Sequence, residues 1–133
     1  MPKANGSPLI IDCHGHYTTA PKALGNWRNQ QIAGIKDPAA KPKVADLKIS
    51  DDDIRETILA NQLRLMNERG NDMTLFSPRA SFMAHHIGDF EVSSTWAAIC
   101  NELCYRVSTL FPEHFVPVAM LPQSPGVDPA TCI

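Results

Sequence analysis

Two histidines one residue apart, His14 and His16, follow the apolar run Leu9-Ile10-Ile11, with Asp12, Cys13 and Gly15 between and before them. An apolar run of that length, bounded by turn residues, reads as a buried strand. In an extended backbone residues i and i+2 face the same side. The two imidazoles therefore aim at one point just past the strand's C-terminal end. Neutral imidazoles that converge in this way begin a site for Zn²⁺ or another divalent metal. Gly15 lets the chain turn sharply and lets a ligand approach. Asp12 is placed to support the two ligands from the second layer. The competing reading makes the histidines a strand-end cap bonded to backbone carbonyls, and Asp12 a turn cap.

A second group of polar residues follows the segment Met73-Thr74-Leu75-Phe76, which also reads as a strand. Arg79 carries a guanidinium suited to bidentate capture of a substrate carboxylate; its alternative is a surface ion pair. Ser77 and Ser81 can hydrogen-bond a substrate or cap turns. His85 and His86 are adjacent, so one of the two is expected to face the site, as an acid/base or as a donor that orients substrate. Otherwise they are loop histidines facing solvent or a neighbouring subunit. His114, beside Pro112 at a helix end, reads as structural.

Three strand candidates must carry these loops: the run before His14, Met73–Phe76, and Phe115–Leu121, where Pro117 predicts an irregularity. Between them lie helices. Pro21 suits the first turn of one, with Trp27, Gln31 and Ile35 on one side. Asp37–Lys48 is a long excursion without periodicity, expected to form part of a lid or subunit contact. Ser50 is an N-cap before Asp51-Asp52-Asp53, and Ile54, Ile58, Leu59, Leu63 and Met66 form an apolar stripe ending at Gly70. That capped helix start accounts for the three acids without a metal. Val92–Phe111 is another helix, with Trp96, Ile99, Cys100, Leu103, Val107 and Leu110 on one face.

Strands that alternate with helices imply parallel pairing and right-handed crossovers. Three strands do not close a barrel, and a (β/α)₈ barrel usually takes roughly 250 residues. Val127–Thr131 reads as the opening of a further helix. The expected fold class is thus α/β, the N-terminal part of a (β/α)₈ TIM-type barrel: a flexible leader over 1–8, then an incomplete barrel domain over 9–133. Such a chain by itself is expected to associate through its open edges.

The 133 residues carry a net charge of −2 and are 44% hydrophobic, which suits one core and gives no basic patch for nucleic acid. No apolar run reaches membrane-spanning length, and residues 1–8 contain no apolar signal-peptide core. The four cysteines, Cys13, Cys100, Cys104 and Cys132, match no disulfide framework and read as reduced core thiols of a cytoplasmic protein.

Ile11-Asp12-Cys13-His14-Gly15-His16 resembles the strand-one His-x-His metal motif of the amidohydrolase superfamily. Asp12–Thr18, Ser77–Ser81 and Met120–Pro129 narrow the resemblance to its metal-dependent branch, among the hydratases and decarboxylases of unsaturated acids. The likeness runs from Leu9 to the end of the chain. It implies a zinc-dependent (β/α)₈ hydro-lyase of bacterial aromatic catabolism, adding water to the double bond of a small tricarboxylate, and a homo-oligomer at full length. His14 and His16 match the first two metal ligands. The remaining ligands, a histidine and a carboxylate, belong to later strands, so this portion is expected to be inactive alone. The alternatives are a related decarboxylase or hydrolase, or a non-catalytic partial-barrel binding module.

Overall fold

Residues 6–132 are described by a computed structural model, in which the three apolar segments form one parallel sheet in the order β1-β2-β3. The strands are β1, Ile11–His16; β2, Met73–Ser77; and β3, Phe115–Pro117. Between β1 and β2 run α1, Lys22–Ala33, and a long helix in three parts: α2, Asp51–Ile58; a π-helical turn, Leu59–Leu63; and α3, Arg64–Arg69. Between β2 and β3 run α4, Ala80–Met83, and α5, Phe90–Leu110. Parallel neighbours demand such crossovers, and the expected α/β class with three parallel strands holds. All three strands end at the same edge of the sheet, so their following loops share one side of the molecule.

Several boundaries differ from expectation. β1 starts at Ile11 and contains both histidines instead of stopping before them. It pairs Ile11 with Met73 and Asp12 with Thr74, then slips and resumes with Gly15 against Phe76 and His16 against Ser77. The slip is one extra residue on β1, a bulge of the kind that re-aims a side chain. Gly15 permits it: a Cβ there would stand 2.0 Å from Thr74 Cγ2. β3 spans only Phe115–Pro117, well short of Leu121, although Val118 N–H still donates to Phe76 O at 2.9 Å. The Val127–Thr131 segment forms only a 3₁₀ turn, Pro129–Cys132. The expected leader over 1–8 lies partly outside the described residues, as does Ile133.

The core sits between the sheet and α1, α2 and α5. Trp27 and Trp96 stack with ring centroids 6.1 Å apart and planes within 8°, and Ile54, Ile58, Phe76 and Val107 are fully buried. Leu59 leaves the predicted apolar stripe and is 52% exposed, since the π-helical turn changes the helix phase at that point. The Asp37–Lys48 excursion is not a lid over the histidines. It packs on α1 and α5: Trp27 Nε1 donates to Lys43 O at 2.9 Å, and Lys41 pairs with Glu91 at 2.8 Å. Of the four cysteines only Cys100 and Cys104 are core thiols, for Cys13 is exposed and Cys132 half-buried.

The start of α2 is built as its sequence suggests. Ser50 Oγ accepts from Asp53 N–H at 3.1 Å and the Asp53 carboxylate accepts from Ser50 N–H at 2.9 Å, a reciprocal box that satisfies two helix-end donors. Ser50→Ala is expected to lower stability by about 1 kcal/mol in denaturant titration. The hydrogen bonds from Ser50 hold the Asp53 carboxyl below its ordinary range. Its stabilising contribution is therefore complete above about pH 4 and disappears as pH falls through the lower folded value. Burial pushes the Cys100 and Cys104 thiols up to about 12. Alkylation at about pH 8 should accordingly label Cys13 quickly and reach Cys100 and Cys104 only after unfolding, as read by peptide mass.

Candidate metal centre

His14 and His16 face the same side of β1, and their Nε2 atoms stand 3.0 Å apart with the rings at 80°. Two ligands of a tetrahedral zinc, each about 2.0–2.1 Å from the ion, would be separated by roughly 3.3 Å. The convergence expected from i, i+2 spacing is present. The tautomer also suits a metal. His16 Nδ1 lies 3.0 Å from Ser77 Oγ, while Ser77 Oγ–H points to Gly15 O at 3.4 Å. A hydroxyl that gives its one proton to a carbonyl can only accept from the ring. His16 therefore carries its proton on Nδ1 and leaves the Nε2 lone pair free to ligate. The two residues fit as two ligands of one cation. Among the described residues no group of three or more His, Cys, Asp and Glu side chains could hold a metal, so the pair is a partial donor set.

Ser77 is brought against the His16 ring by the His16–Ser77 register. Asp12 does not touch either ring. Its carboxylate accepts from the His14 N–H at 3.0 Å, supporting that ligand through the backbone. The imidazoles border a cavity of about 220 Å³ that Asp12, Thr18, Gln62 and Thr74 also line.

Thr18 reaches into a second cavity of about 220 Å³, where Arg79 and Lys22 come together beside Tyr17 and Pro21. Neither cation is held in an ion pair with another described residue. Tyr17 donates its O–H to Thr57 Oγ1, itself a donor to the carbonyls of Asp53 and Ile54. Burial raises the Tyr17 phenol to about 12, so it stays protonated and is no general base near neutrality.

His85 and His86 are not brought to the imidazole pair. They line a separate hollow of about 550 Å³ with Ser81, Gln123 and Ser124, formed by the loops after β2 and β3. His85 Nδ1 lies 3.0 Å from Ser93 Oγ, which accepts from Gln123 N–H at 3.2 Å. The buried Ser93 hydroxyl thus ties the His85 ring to the loop after β3. Lys22 and Gln62 were not singled out by sequence. Lys22 had a readable signal, for it follows Pro21 in a strand-end loop. Gln62 had none, since helix phase alone turns it elsewhere.

Residues 11–133 match the Amidohydro_2 family of amidohydrolases. The chain is 59% identical over 125 residues to 2-keto-4-carboxy-3-hexenedioate hydratase of Sphingobium sp. (strain NBRC 103272 / SYK-6), covering 94% of this chain and 36% of that protein. It is also similar to the crystal structure of 4-oxalomesaconate hydratase from Rhodopseudomonas palustris. There the TM-score is 0.88 at 70% identity, over 93% of this chain and 36% of the other. The chain therefore spans about a third of the length of these relatives. With its His-x-His strand, parallel sheet and near-complete family match, the chain belongs to the amidohydrolase family.

Proposed function

We propose that this chain supplies two metal ligands and a carboxylate-binding flank to a zinc-dependent hydratase acting on 4-oxalomesaconate, 2-keto-4-carboxy-3-hexenedioate. The observation that carries the proposal is the convergent, tautomerically set pair His14 and His16. It sits in a chain 59% and 70% identical to two proteins named as such hydratases. Zn²⁺ suits two neutral imidazoles as borderline ligands.

The chemistry follows from the substrate. A keto group at C2 is conjugated with the C3–C4 double bond, so C4 accepts a nucleophile while electron density moves toward the keto oxygen. Water loses one proton as its oxygen bonds to C4, and C3 takes a proton to give 4-carboxy-4-hydroxy-2-oxoadipate. A divalent cation held by His14 and His16 would supply Lewis acidity to this addition.

The chain's own residues bind and orient. Three carboxylates need cations, and Arg79 with Lys22 offers two in one cavity that adjoins the imidazole cavity through Thr18. Arg79 can take a carboxylate bidentately; Lys22 contributes a point charge. His85 and His86 line the hollow between the loops after β2 and β3, where their imidazoles can orient a bound acid. The proton that reaches C3 is not assigned to either histidine.

In the intact protein, His14→Ala and His16→Ala should each remove stoichiometric zinc and lower hydration by more than about 100-fold, followed by loss of the substrate's conjugated absorbance. Wild-type zinc content and rate in both variants would refute the assignment, and released carbon dioxide in place of the hydroxy acid would make the enzyme a decarboxylase. Arg79→Met should raise KM by roughly 10–100-fold, the loss of one charge-assisted carboxylate contact; an unchanged KM removes Arg79 from the site.

A further inference from the structure

The helix that crosses from α1 to β2 is interrupted by a π-turn at Leu59–Leu63, directly behind the end of β1. Such turns are rare, and they leave carbonyls without their α-helical partners. Here the carbonyls are covered: Asn61 Nδ2 donates to Thr57 O at 3.0 Å, and Arg64 Nε donates to Ala60 O at 3.1 Å. Side chains of the helix itself thus hold the irregularity in place.

The consequence is a change of phase. In an α-helix, with about 100° per residue, position i+5 stands roughly 140° round from position i. A turn closed by i to i+5 bonding brings the two back over one another. Thr57 and Gln62 are five apart, and both grip the segment that follows His14. Thr57 Oγ1 accepts from Tyr17, and Gln62 Nε2 donates to His16 O at 3.1 Å and to Thr18 Oγ1 at 2.8 Å. The His16 carbonyl is an acceptor only, so the Gln62 amide has a single orientation, NH₂ toward β1. Its Oε1 is then left buried without a hydrogen-bond partner among the described residues. A glutamine that served the helix alone would satisfy both ends of its amide; this one satisfies only the end that reaches the histidine strand.

We propose that the π-turn makes Gln62 a positioning residue for the imidazole pair, its amide fixing the His16 carbonyl and the Thr18 hydroxyl so that the His16 ring holds its place opposite His14. This rests on the reading of His14 and His16 as metal ligands. Gln62 touches neither ring and acts through the strand end. It works from the helix side, while Ser77 works from β2.

The test uses the intact protein and two readouts, zinc affinity by chelator competition and amide hydrogen exchange across His16–Thr18. Gln62→Met keeps the length of the side chain and removes both donors. It is expected to weaken zinc binding by roughly tenfold, at the lower end for residues that orient metal ligands, and to speed exchange across His16–Thr18 while α5 exchanges as before. Thr18→Val removes one of the two acceptors and is expected to give a smaller effect in the same direction. Wild-type zinc affinity and wild-type exchange in Gln62→Met would overturn the proposal. His16→Ala separates the two failures. If that variant binds zinc as tightly as wild type, the metal reading falls. If it loses zinc while Gln62→Met does not, the metal reading stands and the role of Gln62 falls.

Discussion

β1 and β2 meet with His16 opposite Ser77, and the chemistry available at this site follows from that register. A serine opposite the second histidine can accept the Nδ1 proton, and its own proton has an acceptor in the neighbouring Gly15 carbonyl. The ring is thereby held in one tautomer and one rotation. The register itself depends on the bulge between Asp12 and Gly15, because side-chain facing alternates along a strand and an unshifted pairing would place Thr74 and Gly15 differently. Thr74 Cγ2 occupies the space a β-carbon at position 15 would need. The geometry of the imidazole pair is thus tied to a packing constraint: a side chain at 15 would move β1 on β2, and the imidazole on its serine.

The polar loops need a rigid base, and the base contains an unusual element. Arg28 is 2% exposed, yet no carboxylate faces it among the described residues. Its guanidinium lies 5.0 Å from the Trp96 ring centroid and donates to Gln31 Oε1 at 2.5 Å and to Met83 O at 3.0 Å. Burial lowers its pKa from the ordinary range, but an arginine has far to fall before it loses its charge. The cation is stabilised by the indole face and by neutral oxygens. Gln31 in turn donates to Val92 O at 3.1 Å. The network therefore joins α1 to the end of α4 and the start of α5, the two points between which the His85–His86 loop is strung. Removing Arg28 would free a carbonyl and an amide in the interior together, so the loop and the helices behind it are coupled.

What could be read from residue order alone was what short-range chemistry decides. Ser50 with its three aspartates marked the start of α2, and alternation at His14 and His16 placed both rings on one side. The Trp96, Cys100, Leu103 and Val107 spacing gave the buried face of α5. What escaped was decided by partners distant in sequence. Ser77 offers a hydroxyl to anything in reach, and only the pairing with β1 selects His16. Leu59 belongs to the apolar stripe by count, yet the π-turn rotates it into solvent and brings Gln62 round to β1. No propensity marks that turn, because its stabilisation comes from Asn61 and Arg64 bonding carbonyls one turn back, as ordinary surface residues can. Cys13 reads as a core thiol from its apolar neighbours, yet Ile11 and Cys13 are both exposed on β1, since nothing in the run itself says whether that face is covered.

Charge sets the remaining condition on function. The chain as a whole is slightly acidic, at −2, so an anion gains nothing from the overall field and is attracted only locally. Arg79, after β2, and Lys22, at the start of α1, are positive charges in one cavity, neither in an ion pair among the described residues. Pairing either with an acid would cancel the local potential. Two imidazoles alone bind several divalent ions in the usual affinity order, copper above zinc. Any choice among them rests on the donors that complete the coordination and on how little His14 and His16 can adjust. A pair held loosely accepts whichever ion the surroundings supply. Held by a serine on one side and a helix side chain on the other, the two imidazoles keep their Nε2 atoms 3.0 Å apart, somewhat closer than the roughly 3.3 Å of two ligands on a tetrahedral zinc.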